Sequence, residues 1–220
     1  QSFINVNDVD VIVEHDEDLL TVSSSPESEA ANTVGRLVAR LIEDGSTIQM
    51  GLGTTPQATL LAFSNKNDLG IHTRYVTDDI MHLVSKGVVT NRKKGFNDGK
   101  LVASGAIGTE VLYEFLDDNP SIEFHPSDYV NHPGIISRHN KMVAMNVAMA
   151  MDLTGQVAVD ALSFNNFSGA TGIFDFMRGA ARSEGGKSIL MLTSTSADGK
   201  SRIVPKLDSA VVVPRGDVHY

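Results

Sequence analysis

One unit recurs along this chain and limits the fold more than any other feature. It is a short apolar run, a turn carrying glycine or threonine, and then a helix-like stretch. Thr47–Met50 reads as a buried strand, Gly51–Thr55 as a turn, and Gln57–Phe63 as a helix with Pro56 in its first turn. The pattern returns as strand Ile71–Val76 with helix Asp78–Lys86 capped by Thr77. It returns again as strand Leu101–Ala103 with helix Glu110–Leu116 capped by Thr109, followed by strand Ile122–Phe124. Met142–Met149, Ser188–Thr193, Ile203–Pro205 and Ala210–Val213 read as further strands, and Phe176–Arg182 as a helix. Strands alternating with helices predict an α/β fold: an open, largely parallel sheet with helices on both faces.

Before the first unit, Val9–Val13 reads as a short strand or as extended linker. Ser23-Ser24-Ser25-Pro26-Glu27 carries the signals of a helix start: a serine cap, an early proline and an acid near the positive end of the dipole. Ala30, Val34, Leu37, Val38, Leu41 and Ile42 follow at helical spacing as its apolar face, and Gly45 ends it. Asn91–Lys100 is the most polar stretch and reads as a surface loop or hairpin turn.

Composition narrows the function classes. With 220 residues, 41% of them hydrophobic, the chain can bury a sizeable core. Its formal net charge of −9 leaves no basic stripe for a nucleic-acid backbone. The longest apolar run, near Ile189–Leu192, is far too short to span a bilayer, so no membrane partner is expected. The absence of cysteine excludes disulfides and thiolate chemistry and fits a cytoplasmic protein. None of the seven histidines stands in a His-x-x-x-His or His-Glu-x-x-His spacing, so no metal site is expected. No Gly-x-Ser-x-Gly elbow is present.

Two glycine loops could carry chemistry. Gln49-Met50-Gly51-Leu52-Gly53-Thr54-Thr55-Pro56 joins a strand to a helix, where backbone N–H groups and the helix dipole can meet an oxyanion. A tight βα turn is its commoner meaning. It lacks the third glycine of a dinucleotide fingerprint and the Gly-Lys-Ser/Thr of a P-loop. Ser168-Gly169-Ala170-Thr171-Gly172-Ile173-Phe174-Asp175-Phe176 opens a second helix. It reads equally as a connection with Asp175 as N-cap or as a backbone nest for a ligand. Met145, Met149 and Met151 read as core filling, and Asp117-Asp118 as a solvated helix end.

The order of these segments resembles the C-terminal half of the acetyl-CoA hydrolase/CoA-transferase family, which includes 4-hydroxybutyrate CoA-transferases. Gly70-Ile71-His72-Thr73-Arg74-Tyr75-Val76-Thr77-Asp78 is similar to the family's Gly-Ile-His-Thr-Glu-Met-Phe-Ser-Asp. Gln49–Ala58 is similar to its Gln-x-Gly-Ile-Gly-x-x-Pro-x-Ala loop, and Leu112–Pro120 to its Leu-Tyr-Asp-Phe-x-Asp-x-Asn-Pro block. Asn146 with Asp152–Val157, Ser168–Phe176, Arg178–Ala181 and Ser201–Pro205 continue the series over essentially the whole chain.

The resemblance implies a C-terminal domain, residues 26–220, cut short at its C-terminal end, with residues 1–25 a linker from an N-terminal half. The ligands implied are an acyl-CoA and a small carboxylic acid, with coenzyme A as substrate and no resident cofactor. A homodimer is among its implications. The implied binding residues are Gly51, Leu52, Gly53, Asn146, Gly169, Thr171 and Gly172, with amides near Leu52–Gly53 and Gly169–Gly172 forming an oxyanion hole.

Two positions depart from the family. Thr171 replaces a loop glycine, and Arg74 replaces the glutamate that would carry CoA as a glutamyl thioester. A guanidinium is no nucleophile. Arg74 therefore reads either as a bidentate binder of a carboxylate or phosphate, or as a salt bridge to Asp78 or Asp79. Glu110 sits in a first helical turn, where an acid complements the dipole, and is a poor substitute nucleophile. Two functions follow: CoA transfer or thioester hydrolysis, or a non-catalytic acyl-CoA-binding or regulatory domain.

Overall fold

The computed structural model describes residues 4–23, 28–159, 161–162, 165–166, 172–196, 198–208 and 213–220. In chain order the elements are α1 (Glu29–Ala39), β1 (Thr47–Met50), α2 (Thr54–Leu61), β2 (Gly70–Val76), α3 (Asp78–Ser85), β3 (Leu101–Ala106), α4 (Glu110–Leu116) and β4 (Ile122–Phe124). Two short helices follow, α5 (Ser127–Val130) and α6 (Pro133–Ile136), then β5 (Met142–Val147), β6 (Ala150–Asp152) and β7 (Val157–Ala158). The chain continues with β8 (Ala161–Leu162), β9 (Asn165–Asn166), α7 (Ile173–Arg182), β10 (Lys187–Met191) and β11 (Ile203–Val204).

Six strands form one sheet in the order β10-β5-β1-β2-β3-β4, and every pairing within it is parallel. A parallel sheet needs helical crossovers, and these cover both faces. Side-chain alternation along the strands divides the apolar residues between two cores. Ile48, Ile71, Val143 and Ile189 face one way and pack with Val38 of α1, Leu60 of α2, Ile80 of α3 and Leu112 of α4. Val102, Met142 and Ala144 face the other way, towards Val130 of α5, Ile136 of α6 and Phe176 of α7. Burying one such side chain contributes about 1.5–3 kcal/mol. β11, β6 and β7 make a small side sheet, and β8 and β9 an antiparallel ladder.

Several local expectations need correction. α1 is capped by Ser28, whose hydroxyl accepts from the Ala31 amide; of the expected cap, residues 24–27 lie outside the described residues. Leu37 is 55% exposed, because the helix turns Ala31, Gly35 and Val38 inward instead. Gly35 lies flat on α2, where a Cβ would stand 2.7 Å from the Ala58 carbonyl oxygen. Thr77 and Thr109 occupy the N-cap positions of α3 and α4, but neither hydroxyl caps. Thr109 instead donates to the Asp78 carboxylate through both its amide and its hydroxyl. Asp175 is not the cap of α7. That position is Gly172, left-handed at φ 45°, and Asp175 sits in the first turn.

The polar stretch Asn91–Lys100 is not wholly on the surface. Lys94 is fully buried, its ammonium donating to the carbonyls of Ile71 (2.8 Å) and Lys100 (2.6 Å). The expected strand at Ala210–Val213 lies outside the described residues except for Val213, which bridges Val157. The N-terminal segment 9–20 forms neither helix nor strand and leaves Val11, Ile12, Val13, Leu19 and Leu20 exposed. It is pinned where the Val22 amide donates to the Gly108 carbonyl and the Tyr113 hydroxyl to the Leu20 carbonyl.

Candidate active site

Ligands of open parallel sheets sit beyond the carboxyl ends of the strands. Here the ends of β1, β2 and β5, with the start of α7, enclose a cavity of about 450 Å3. Arg74, Gly51, Leu52, Asn146 and Gly172 all line it, although they are scattered along the sequence. Gly53 does not. It faces an adjoining cleft of about 170 Å3, shared with Thr77, Asp79 and Gly108. Gly169 and Thr171 lie outside the described residues. Glu110 is exposed on α4 and lines neither space.

The polar floor is an amide pair. Gln49 projects from β1 and Asn146 from β5, strands held in parallel register by Met50 opposite Met145. Gln49 Nε2 donates to Asn146 Oδ1 at 3.0 Å, and Asn146 Nδ2 donates to Gln49 Oε1 at 2.9 Å. Both side chains are almost fully buried, so each satisfies the other at a depth where an unpaired amide would cost about 1–3 kcal/mol. Gln49 was absent from the sequence-derived site. Its signal was a lone amide in the otherwise apolar run around Ile48.

Gly51 has two duties. Its amide donates to the Met145 carbonyl at 2.8 Å, which continues the ladder one residue past β1. A Cβ there would come within 3.2 Å of Asn146 Oδ1, so a larger residue would press on the amide pair. The next two amides are different. Among the described residues, neither the Leu52 nor the Gly53 N–H donates to a partner. Gly53 takes φ 118°, a conformation open to glycine, and begins α2. The strand end thus offers two consecutive open donors beside the cavity.

Arg74 stands on β2 on the same face as His72, half-buried, its guanidinium 5.0 Å from the Tyr75 ring centroid. Among the described residues it forms neither an ion pair nor a hydrogen bond, and the expected bridge to Asp78 or Asp79 is not made. Asp78 is engaged by Thr109. Asp79 lies on the adjoining cleft, where burial raises its pKa. Among the described residues the remaining walls are mostly apolar, among them Val147, Met149, Ile173 and Phe176.

Behind Phe176 lies a buried group of bases. The His72 ring is 6.1 Å from Phe176 and 4.4 Å from His139. His72 Nε2–H donates to the Val130 carbonyl at 2.8 Å, while Nδ1 finds no partner. Burial pulls its pKa down to about 3, and His139 goes to about 2 for the same reason. Lys94 falls to about 7, again through burial. These rings are neutral at pH 7 and serve as packing. Among the described residues no cluster of His, Cys, Asp and Glu could hold a metal ion, and no helix is long and apolar enough to cross a membrane.

Comparison with known proteins agrees with this architecture. The chain is 42% identical, over its whole length, to the 4-hydroxybutyrate coenzyme A transferase of Clostridium kluyveri, of which it covers 52%. It is 39% identical to the succinyl-CoA:cyclohexane-1-carboxylate CoA transferase of Geobacter metallireducens, covering 99% of itself and 50% of that protein. The chain therefore spans about half the length of the curated relatives it matches. Among solved structures it superposes on RipA from Yersinia pestis with a TM-score of 0.92 at 37% identity, covering 99% of this chain and 50% of that one. The 4-hydroxybutyrate CoA-transferase of Porphyromonas gingivalis gives a TM-score of 0.85 at 38% identity, covering 98% and 51%. Residues 108–220 match the acetyl-CoA hydrolase/transferase C-terminal domain, and the chain belongs to that family.

Proposed function

We propose that this domain forms one wall of an acyl-CoA site, in a protein that transfers CoA between an acyl-CoA and a carboxylate or hydrolyses the thioester. The observation that carries the reading is the cavity at the strand ends, where open amides, a polar floor and a cation meet. In this reading the Leu52 and Gly53 amides receive a thioester carbonyl, and the Gly169–Gly172 loop contributes further donors. Each donor aimed at a developing oxyanion is worth about 3–4 kcal/mol in the transition state. Residues 26–220 act as the C-terminal domain, residues 1–25 link it to an N-terminal half, and that half completes the site.

Arg74 supports a second reading. A carboxylate at that position would attack the thioester and expel CoA thiolate, leaving an anhydride. The thiolate would then attack the side-chain carbonyl, freeing the acid and leaving CoA on the side chain, and the reverse steps with a second acid would restore the carboxylate. A guanidinium cannot enter that cycle. The domain then binds acyl-CoA without turning it over, as a sensing or regulatory element.

One experiment separates the two. Full-length protein is incubated with labelled acetate and acetyl-CoA, and any enzyme–CoA thioester is trapped with borohydride. Exchange with a trapped carboxylate supports the enzyme and locates its nucleophile. Binding of acetyl-CoA without exchange supports the sensor. In the full-length protein Arg74→Glu is expected to create or raise the exchange. A folded variant with no gain would mean that the site has lost more than its nucleophile.

A further inference from the structure

The cavity has an electrostatic asymmetry that the fold does not need. The chain carries 27 acidic and 18 basic residues, yet among the described residues no acidic side chain lines this space. Among the described residues its one charge is Arg74, half-buried and without a counter-ion. A guanidinium drawn partly out of water loses solvation that an opposite charge would restore. The nearest candidates in sequence are unavailable, since Thr109 holds Asp78 and Asp79 opens on the neighbouring cleft. The described residues supply no partner, and an anion from outside the domain would fill that place.

The walls specify which kind. A single cation balances a single negative charge, and a phosphate monoester, at −1.5 to −2, would leave charge uncompensated against apolar walls. The planar fork of an arginine matches a carboxylate through two parallel N–H···O bonds. Val147, Met149, Ile173 and Phe176 offer apolar surface for a short chain behind that carboxylate. We propose that Arg74 is a non-covalent anchor for the carboxylate of a short aliphatic monocarboxylic acid, held whole in this cavity as an ion pair. The proposal rests on the reading that this cavity is the substrate cavity, and it names what the cavity takes in place of a covalent link.

The test is calorimetric titration of the full-length protein with acetate, propanoate and butyrate, and separately with acetyl-CoA. Binding is expected to tighten about fourfold for each added methylene as the chain enters the apolar walls. Arg74→Gln is expected to weaken butyrate at least tenfold, and Arg74→Lys by less, because a point charge keeps attraction but loses the fork. If Arg74→Gln fails to fold, the Arg74→Lys comparison and the chain-length series decide alone. Equal butyrate affinity in wild type and a folded Arg74→Gln overturns the proposal. Inorganic phosphate competing as well as butyrate, or no dependence on chain length, overturns it too. Acetyl-CoA binding with no butyrate binding removes the anchor and leaves the acyl-CoA reading standing. Arg74-dependent butyrate binding with no acetyl-CoA binding does the reverse.

Discussion

The two faces of the sheet are built from the same strands and put to opposite uses. The face under α1–α4 is a closed apolar core, with Phe63, Ile48 and Ile71 fully buried. The face under α5–α7 buries polar and basic groups beside its apolar ones: His72, His139 and Asn146, with Arg74 at its open end. Alternation along β2 makes the split explicit, since Ile71 goes to the closed core and His72 to the other face. One face accounts for why the domain holds together, and the other for where a ligand can be met. A protein that places polar groups on a buried face accepts lower stability there.

Acid should separate the faces most strongly. His72 and His139 have folded pKa values of about 3 and about 2, below the unfolded value of about 6.5. The unfolded chain therefore binds more protons as pH falls below 6.5, and stability is lost in that direction. With both rings contributing, the slope is about 2.7 kcal/mol per pH unit. Equilibrium urea unfolding between pH 6.5 and 5 reads this uptake. His139→Leu should remove about half the slope. An unchanged slope in that variant would mean the ring is solvated. Lys94 extends the trend at the alkaline end: its folded pKa of about 7 lies below the unfolded value, so stability keeps rising with pH through that range.

Phe63→Ala on the closed face should cost about 3–5 kcal/mol. That loss should be nearly the same at pH 5 and pH 7.5, since the two low-pKa histidines pack on the other face of the sheet. A pH-dependent loss would mean that the two faces are coupled through the sheet. Asn146→Ala should cost about 1–3 kcal/mol by leaving the buried Gln49 amide alone, whereas Gln49→Leu/Asn146→Leu together should cost less than the sum. Leu37→Lys should change stability by less than about 0.5 kcal/mol, because the side chain lies in solvent. A larger loss in the full-length protein would instead show that another part of the polypeptide covers it.

Leu37 also shows where the sequence stops being informative. Its spacing with Val34 and Val38 fits an apolar stripe, but the close approach of Gly35 to α2 sets the helix's rotation, and no periodicity encodes that. The strands β1 and β4 were legible to the residue, because a short apolar run between turn signals has one reading. The helices α5 and α6, four residues each, have no period to read. Lys94 hides in the most polar stretch because the carbonyls that receive it belong to Ile71 and Lys100, brought together only by tertiary folding. Within the site, the resemblance marked Arg74, Gly51, Leu52, Asn146 and Gly172, and the strand ends gather them. Gln49 was missed because its role lies in its partner on another strand.

The exchange of hydrogen bonds between Gln49 and Asn146 also has a mechanical consequence. It ties β1 to β5 by side chains as well as by the ladder, so the two strands cannot slip past each other by a residue without breaking both contacts. The cavity floor is in this sense an anvil: its polar atoms are already aimed before anything arrives. A ligand placed on it would spend nothing there on ordering the protein.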